Sequence, residues 1–190
     1  MTEDQIRSDI KARLPTFFCD RRARVIEELE ICAGKARADM AVITDRLIGI
    51  EIKGPKDRLT RLKCQADYYS KCFDEVVLVV HERLAREATG LVPQWWGIVV
   101  SQERDGDHFY KMKRRPTQNQ HVDVNAVLGL LWRIELEALF AEHLQIEAPA
   151  SSSKRKLRQQ LLEVICPSIL KVAGILLLRE REDWRSVQIS

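Results

Sequence analysis

The apolar positions of this chain change their spacing several times, and each change marks an element. Ile6, Ile10 and Leu14 fall on one helical stripe, with Thr2 and Gln5 as a capping box ahead of them and Pro15 as a stop, so the pattern predicts a helix over 2–14. "ARVIEELEI" (23–31) mixes β-branched and charged residues and predicts a first strand, closed by a turn around Gly34. "ADMAVI" (38–43) and "LIGIEIK" (47–53) predict two strands joined by a short hairpin at Thr44-Asp45-Arg46. Leu59, Leu62, Ala66, Tyr69 and Phe73 then recur at spacings of three and four, which predicts an amphipathic helix over 56–73. "EVVLVV" (75–80) is apolar without alternation, as a central strand covered on both faces requires. "WWGIVVS" (95–101) predicts another strand, and "HFYKMKR" (108–114) an edge strand after the Asp105-Gly106 turn.

From Val122 the pattern turns helical. Val124, Val127, Leu128, Leu131 and Ile134 predict a helix within 122–146, and "APASSSKRK" (148–156) reads as a flexible, basic, serine-rich linker. Two more helices are expected over 157–166 and, after Pro167, 168–182. The fold expected is therefore α/β: a mixed central sheet flanked by helices over 1–121, then a helical C-terminal region over 122–190.

Composition narrows the field only a little. A chain of 190 residues, 45% apolar and 31% charged, suits an ordinary globular protein with a proper core. A net charge of +3 permits contact with nucleic acid without announcing it. The five cysteines include no C-x-x-C pair, and read as small buried residues in a reducing cytoplasm. The N-terminus lacks an apolar signal core, and the longest apolar run, "ICPSILKVAGILLL", spans 14 residues and carries Lys171, too short for a membrane span.

The chemistry lies in the hairpin. Asp39, Glu51 and Lys53 occupy strands otherwise made for burial, where an unpaired charge costs several kcal/mol. If Ile43 pairs with Leu47, counting outward sets Asp39 across from Glu51, with Lys53 two positions further along the same face. A hairpin one residue tighter would break the constellation. Two facing carboxylates repel unless a cation sits between them, and Mg²⁺ or Mn²⁺ accepts such oxygen ligands while keeping several waters.

This arrangement resembles the PD-(D/E)XK nuclease superfamily, the restriction-endonuclease-like fold, whose order of helix, strand, hairpin, helix and strand matches that expected over residues 2–80. The resemblance implies metal ligation by Asp39 and Glu51 and assistance to catalysis by Lys53, although Ala38 stands where the family's proline would. Gln65 and Tyr69 form a Q-x-x-x-Y pair on one helical face, similar to the RecB-type exonuclease branch, where the glutamine supports the site and the tyrosine lies near DNA. The iron–sulfur cluster of that branch is not supported by the cysteine spacing. A further acid is expected from the first helix or strand: Glu28 is the candidate, with Glu27 and Glu30 competing. Arg37, Asp57, Arg58, Arg61 and Lys63 surround the motif, the cations placed to approach phosphates.

The implied function is hydrolysis of phosphodiesters by a metal-activated water, with Mg²⁺ or Mn²⁺ as cofactor and DNA as substrate, RNA being left open. The alternative is an inactive nuclease-fold protein that binds nucleic acid or a protein partner. A third reading makes the C-terminal helices a homodimerisation module and the carboxylates a structural cluster. Tyr69 also falls on the core stripe of its helix, Trp95-Trp96 reads more readily as a strand anchor than as a base-stacking pair, and Lys111, Lys113, Arg114 and Arg115 fit a solvated edge strand as well as a DNA contact.

Overall fold

The computed structural model describes residues 1–17 and 23–184. Its centre is a six-stranded mixed sheet in the order β1-β2-β3-β4-β5-β6. The strands are β1 (Arg24–Ile31), β2 (Ala36–Ile43), β3 (Leu47–Lys53), β4 (Glu75–His81), β5 (Gly97–Arg104) and β6 (Asp107–Arg114). β3, β4 and β5 run parallel, while β1–β2, β2–β3 and β5–β6 are antiparallel. The helices are α1 (Glu3–Phe17), α2 (Leu62–Cys72), α3 (Glu82–Leu91), α4 (Val124–Leu128), α5 (Arg133–Leu144), α6 (Lys154–Val164) and α7 (Pro167–Glu180). No helix among the described residues is long and apolar enough to cross a membrane.

The sheet separates two cores. On one face Ile6, Ile10 and Leu14 of α1 pack on Met40, Val42, Ile48, Ile50, Ile52 and Val79. On the other, Tyr69, Phe73, Leu78, Trp96 and Ile98 share a larger cluster with Leu128, Leu139, Leu161, Leu170 and Leu178 of the C-terminal helices. Trp96 is wholly buried, a strand anchor. Asp74 fastens the layers together: its buried carboxylate accepts the Leu47 N–H at 3.0 Å and the Lys171 ammonium of α7.

Several boundaries differ from those the pattern suggests. α1 runs past Pro15 to Phe17 rather than stopping at the proline. α2 starts at Leu62 rather than near 56, because the Asp57 carboxylate accepts the Gly54 N–H at 2.6 Å and closes a turn first. α3 follows β4 directly, with His81 accepting the Arg83 N–H at 3.3 Å as its cap, and nothing in the expected pattern allowed for it. The helix expected over 122–146 breaks at Gly129, where a Cβ would stand 2.9 Å from the Ala126 carbonyl, and restarts where Glu135 accepts the Trp132 N–H at 2.6 Å. The basic end of the expected linker is the first turn of α6, capped by Ser153. Of the cysteines, Cys72 is buried but Cys64 and Cys166 are exposed, contrary to a uniformly buried set; Cys19 lies outside the described residues.

Candidate active site

The hairpin register that decides the site is set by a three-residue connection. Ile43 pairs with Leu47 and the ladder continues to Met40 against Ile50. Counted one step further, Asp39 stands opposite Glu51, and there the ladder opens. The Asp39 carboxylate, rather than a backbone carbonyl, accepts the Ile52 N–H at 2.7 Å. The pleat breaks at the same place: Ala38 belongs to the α2-side core, while Met40, two residues on, belongs to the α1-side core. On β1 the residue facing the break is Glu28, which holds a left-handed backbone at φ 57°. Such a conformation costs a non-glycine residue about 1 kcal/mol or more.

The opening exposes one polar cavity of about 400 Å³. Asp39, Glu51, Lys53, Gln65, Glu28, Arg37 and Arg61 line it, so seven of the expected residues meet there, with Asp57 beside them. Tyr69, Arg58 and Lys63 are not in the lining. Tyr69 sits wholly in the core beneath the cavity and acts on it through its hydroxyl alone, while Arg58 and Lys63 are exposed. Arg114 of the basic edge strand turns its guanidinium inward, onto the Trp96 and Pro93 carbonyls at 2.6 and 2.9 Å.

Glu51 is 1% exposed, a burial that would expel a carboxylate left without partners. Three donors hold it: the Lys53 ammonium and the Gln65 Nε2, at 2.8 Å, on Oε1, and the Tyr69 hydroxyl on Oε2. Burial and the Glu51 charge together push the Tyr69 phenol well above its ordinary value, so it remains a donor. With its nitrogen committed to Glu51, Gln65 leaves its own Oε1 buried without a hydrogen-bond partner among the described residues.

Asp39 is neutralised from the opposite side. Arg7 of α1 reaches its Oδ1 and its backbone carbonyl, both at 3.0 Å, as well as Glu28 at 2.7 Å and Glu3 at 3.0 Å. Burial alone would lower the Arg7 guanidinium, but Asp39, Glu3 and Glu28 hold it above its usual range. Burial, then the nearby Glu51 charge, raises the Asp39 carboxyl to about 6 despite Arg7. Arg7 is a site residue that sequence reasoning missed, as are Glu3 and Lys35, which also line the cavity. The signal of Arg7 was its place beside Ile6 on an otherwise ordinary helix, which becomes informative only once α1 is laid across β2 and β3.

A divalent ion is compatible with this donor set. Asp39 and Glu51 line one polar cavity beside the Gln65 amide, and Mg²⁺ or Mn²⁺ takes one or two protein carboxylates and completes its shell with water. Glu28 is engaged by Arg7 and by Arg37 at 2.6 Å, and no group of three or more His, Cys, Asp or Glu side chains among the described residues could hold a metal. An ion here would rest on Asp39 and Glu51.

A mixed α/β protein with a charged cavity at a hairpin break is thus the class that fold and site define. By sequence, the chain belongs to the bacteriophage P4 protein cII family, whose model matches residues 2–188. Protein cII of Enterobacteria phage P4 is 26% identical over 121 residues, which cover 64% of this chain and 46% of that protein, so the match spans less than half of the relative's length. The SPO1766 protein of unknown function from Silicibacter pomeroyi aligns over 83% of this chain and 80% of its own, at 17% identity and a TM-score of 0.36.

Proposed function

We propose that this chain is a metal-dependent nuclease that hydrolyses DNA phosphodiester bonds at the cavity between β2 and β3. The observation that carries the reading is the meeting of Asp39, Glu51, Lys53 and Gln65 in one polar cavity, with a buried amide oxygen left over. Asp39 and Glu51 would hold Mg²⁺ or Mn²⁺, which supplies an activated water and neutralises charge developing on the phosphate. The chain's own groups do the rest. Tyr69 and Gln65 fix the rotamer of Glu51, so its position costs no reorganisation during the reaction. Lys53, held on Glu51 within the cavity, is placed to orient the attacking water or to meet the phosphate oxygens. Arg7 keeps Asp39 turned toward β3. Lys35, Arg37 and Arg61, exposed on the rim, supply a backbone-binding surface.

The test is cleavage of single- and double-stranded DNA in Mn²⁺, Mg²⁺ or EDTA. Asp39→Asn and Glu51→Gln should each abolish cutting while circular dichroism shows a folded protein. Wild-type rates in both variants would refute the assignment. A second reading, nucleic-acid binding without cleavage, is favoured by the ion pairs that Arg7 and Lys53 make with the two acids. Retention of DNA on filters in EDTA, with no cutting in Mn²⁺, would select it. For self-association, the exposed Ile169, Val172 and Leu176 stripe of α7 supports a homodimer through the C-terminal helices. Val172→Lys should then convert a dimer to a monomer in sedimentation.

A further inference from the structure

A close pair of sulfurs lies outside the cavity. Cys32, at the turn between β1 and β2, and Cys72, the last residue of α2, hold their Sγ atoms 3.6 Å apart. We propose that Cys32 and Cys72 are an oxidisable pair that closes to an intrachain disulfide by exchange with a low-molecular-weight disulfide such as oxidised glutathione. The inference does not depend on metal binding or nuclease activity.

The geometry assigns the two thiols different parts. Cys32 is half-buried and sits at the start of a turn in which it, Ala33 and Gly34 all have positive φ (53°, 58° and 77°). It also lies against the end of α2, with the Tyr68 carbonyl 3.8 Å from its sulfur. A disulfide needs sulfurs about 2.05 Å apart, so the pair must close by roughly 1.5 Å, an approach open to an exposed turn and not to a packed helix. The hydrogen bond from Cys72, then Lys71 and Lys35, against the cost of burial, bring the Cys32 thiol to about 7, whereas the same bond and burial hold Cys72 above its ordinary value. Cys32 is therefore the attacking thiolate and Cys72 the resolving thiol.

The chemistry balances. The Cys32 thiolate attacks one sulfur of the small disulfide, breaks its S–S bond and releases one small thiolate. The Cys72 thiol gives up its proton as its sulfur attacks the mixed disulfide and releases the second. Two protein thiols are oxidised and one small disulfide is reduced to two thiols. The bond would tie the β1–β2 turn to α2, the helix that presents Gln65 and Tyr69 to Glu51.

The experiment incubates the whole chain with oxidised glutathione, natively and in urea, blocks remaining thiols with N-ethylmaleimide and maps the peptides by mass. A Cys32–Cys72 cross-linked peptide should dominate in the native sample and fall several-fold in urea, while exposed Cys64 and Cys166 carry mixed disulfides. Cys72→Ala should leave Cys32 as a persistent glutathione adduct. A native wild-type protein in which Cys32 stays alkylated or stops at the adduct would overturn the proposal. So would a cross-link no more abundant natively than in urea, a comparison that holds even if Cys72→Ala fails to fold.

Discussion

Replacing Asp39 with asparagine separates the cost of this site from its use. Burial and Glu51 raise the Asp39 carboxyl from 3.8 to about 6 in the folded protein. The native state therefore binds more protons than the unfolded chain between those values. Stability from this group is complete below about pH 4 and is lost as pH rises through 6. At 1.36 kcal/mol per pKa unit, a rise of about two units corresponds to roughly 3 kcal/mol lost by pH 7. Asparagine keeps an oxygen for the Ile52 N–H but turns an NH₂ toward Arg7, a mismatch of about 1 kcal/mol. In EDTA at pH 7 the variant should thus be more stable than wild type by about 2 kcal/mol, and the difference should shrink toward zero or reverse near pH 4. The assay is urea denaturation of both proteins across pH 4–7, with the difference between them isolating Asp39 from other carboxylates. Mn²⁺ at a hundredfold over its Kd should add about 2.7 kcal/mol to wild type and far less to the variant. A variant less stable than wild type by 1 kcal/mol at pH 7, or a difference that does not change with pH, would refute the reasoning.

Two further substitutions probe the groups around the site. Tyr69→Phe removes the hydroxyl on the Oε2 of buried Glu51 and should cost about 1.5–3 kcal/mol in metal-free urea melts, with part of the loss recovered in Mn²⁺; a cost below 0.5 kcal/mol would mean the hydroxyl does not hold Glu51. Asp74→Ala strips the Leu47 N–H and the Lys171 ammonium of their buried acceptor and should cost about 3 kcal/mol or more by the same measurement, since both donors lose their partner; a change within 1 kcal/mol would show that Lys171 finds solvent instead.

The sheet and its flanking helices were legible because burial writes a period into the chain. The alternation and apolar runs of β2, β3 and β4, the three-four spacing of α2, and the three-residue turn that pairs Ile43 with Leu47 are all local facts. From that register the opposition of Asp39 and Glu51 followed by counting. Other features were harder to see. α3 spans only ten residues, so the helical spacing of Leu84, Ala88 and Leu91 covers barely two turns, and the start of α2 depends on one side chain closing a turn.

The amino-acid order by itself determined which groups sit on the hairpin and how far apart along it. Tertiary structure decided what they face. The ladder opens at Asp39, Glu28 takes a left-handed backbone, and Arg7 arrives from α1, far from the hairpin in sequence. The same packing decided that Tyr69 serves the site from the core while Cys32 meets Cys72. Periodicity reports burial against an unspecified neighbour. The charge and hydrogen-bond partners that set a pKa or orient a carboxylate come from distant segments, and only the assembled fold names them.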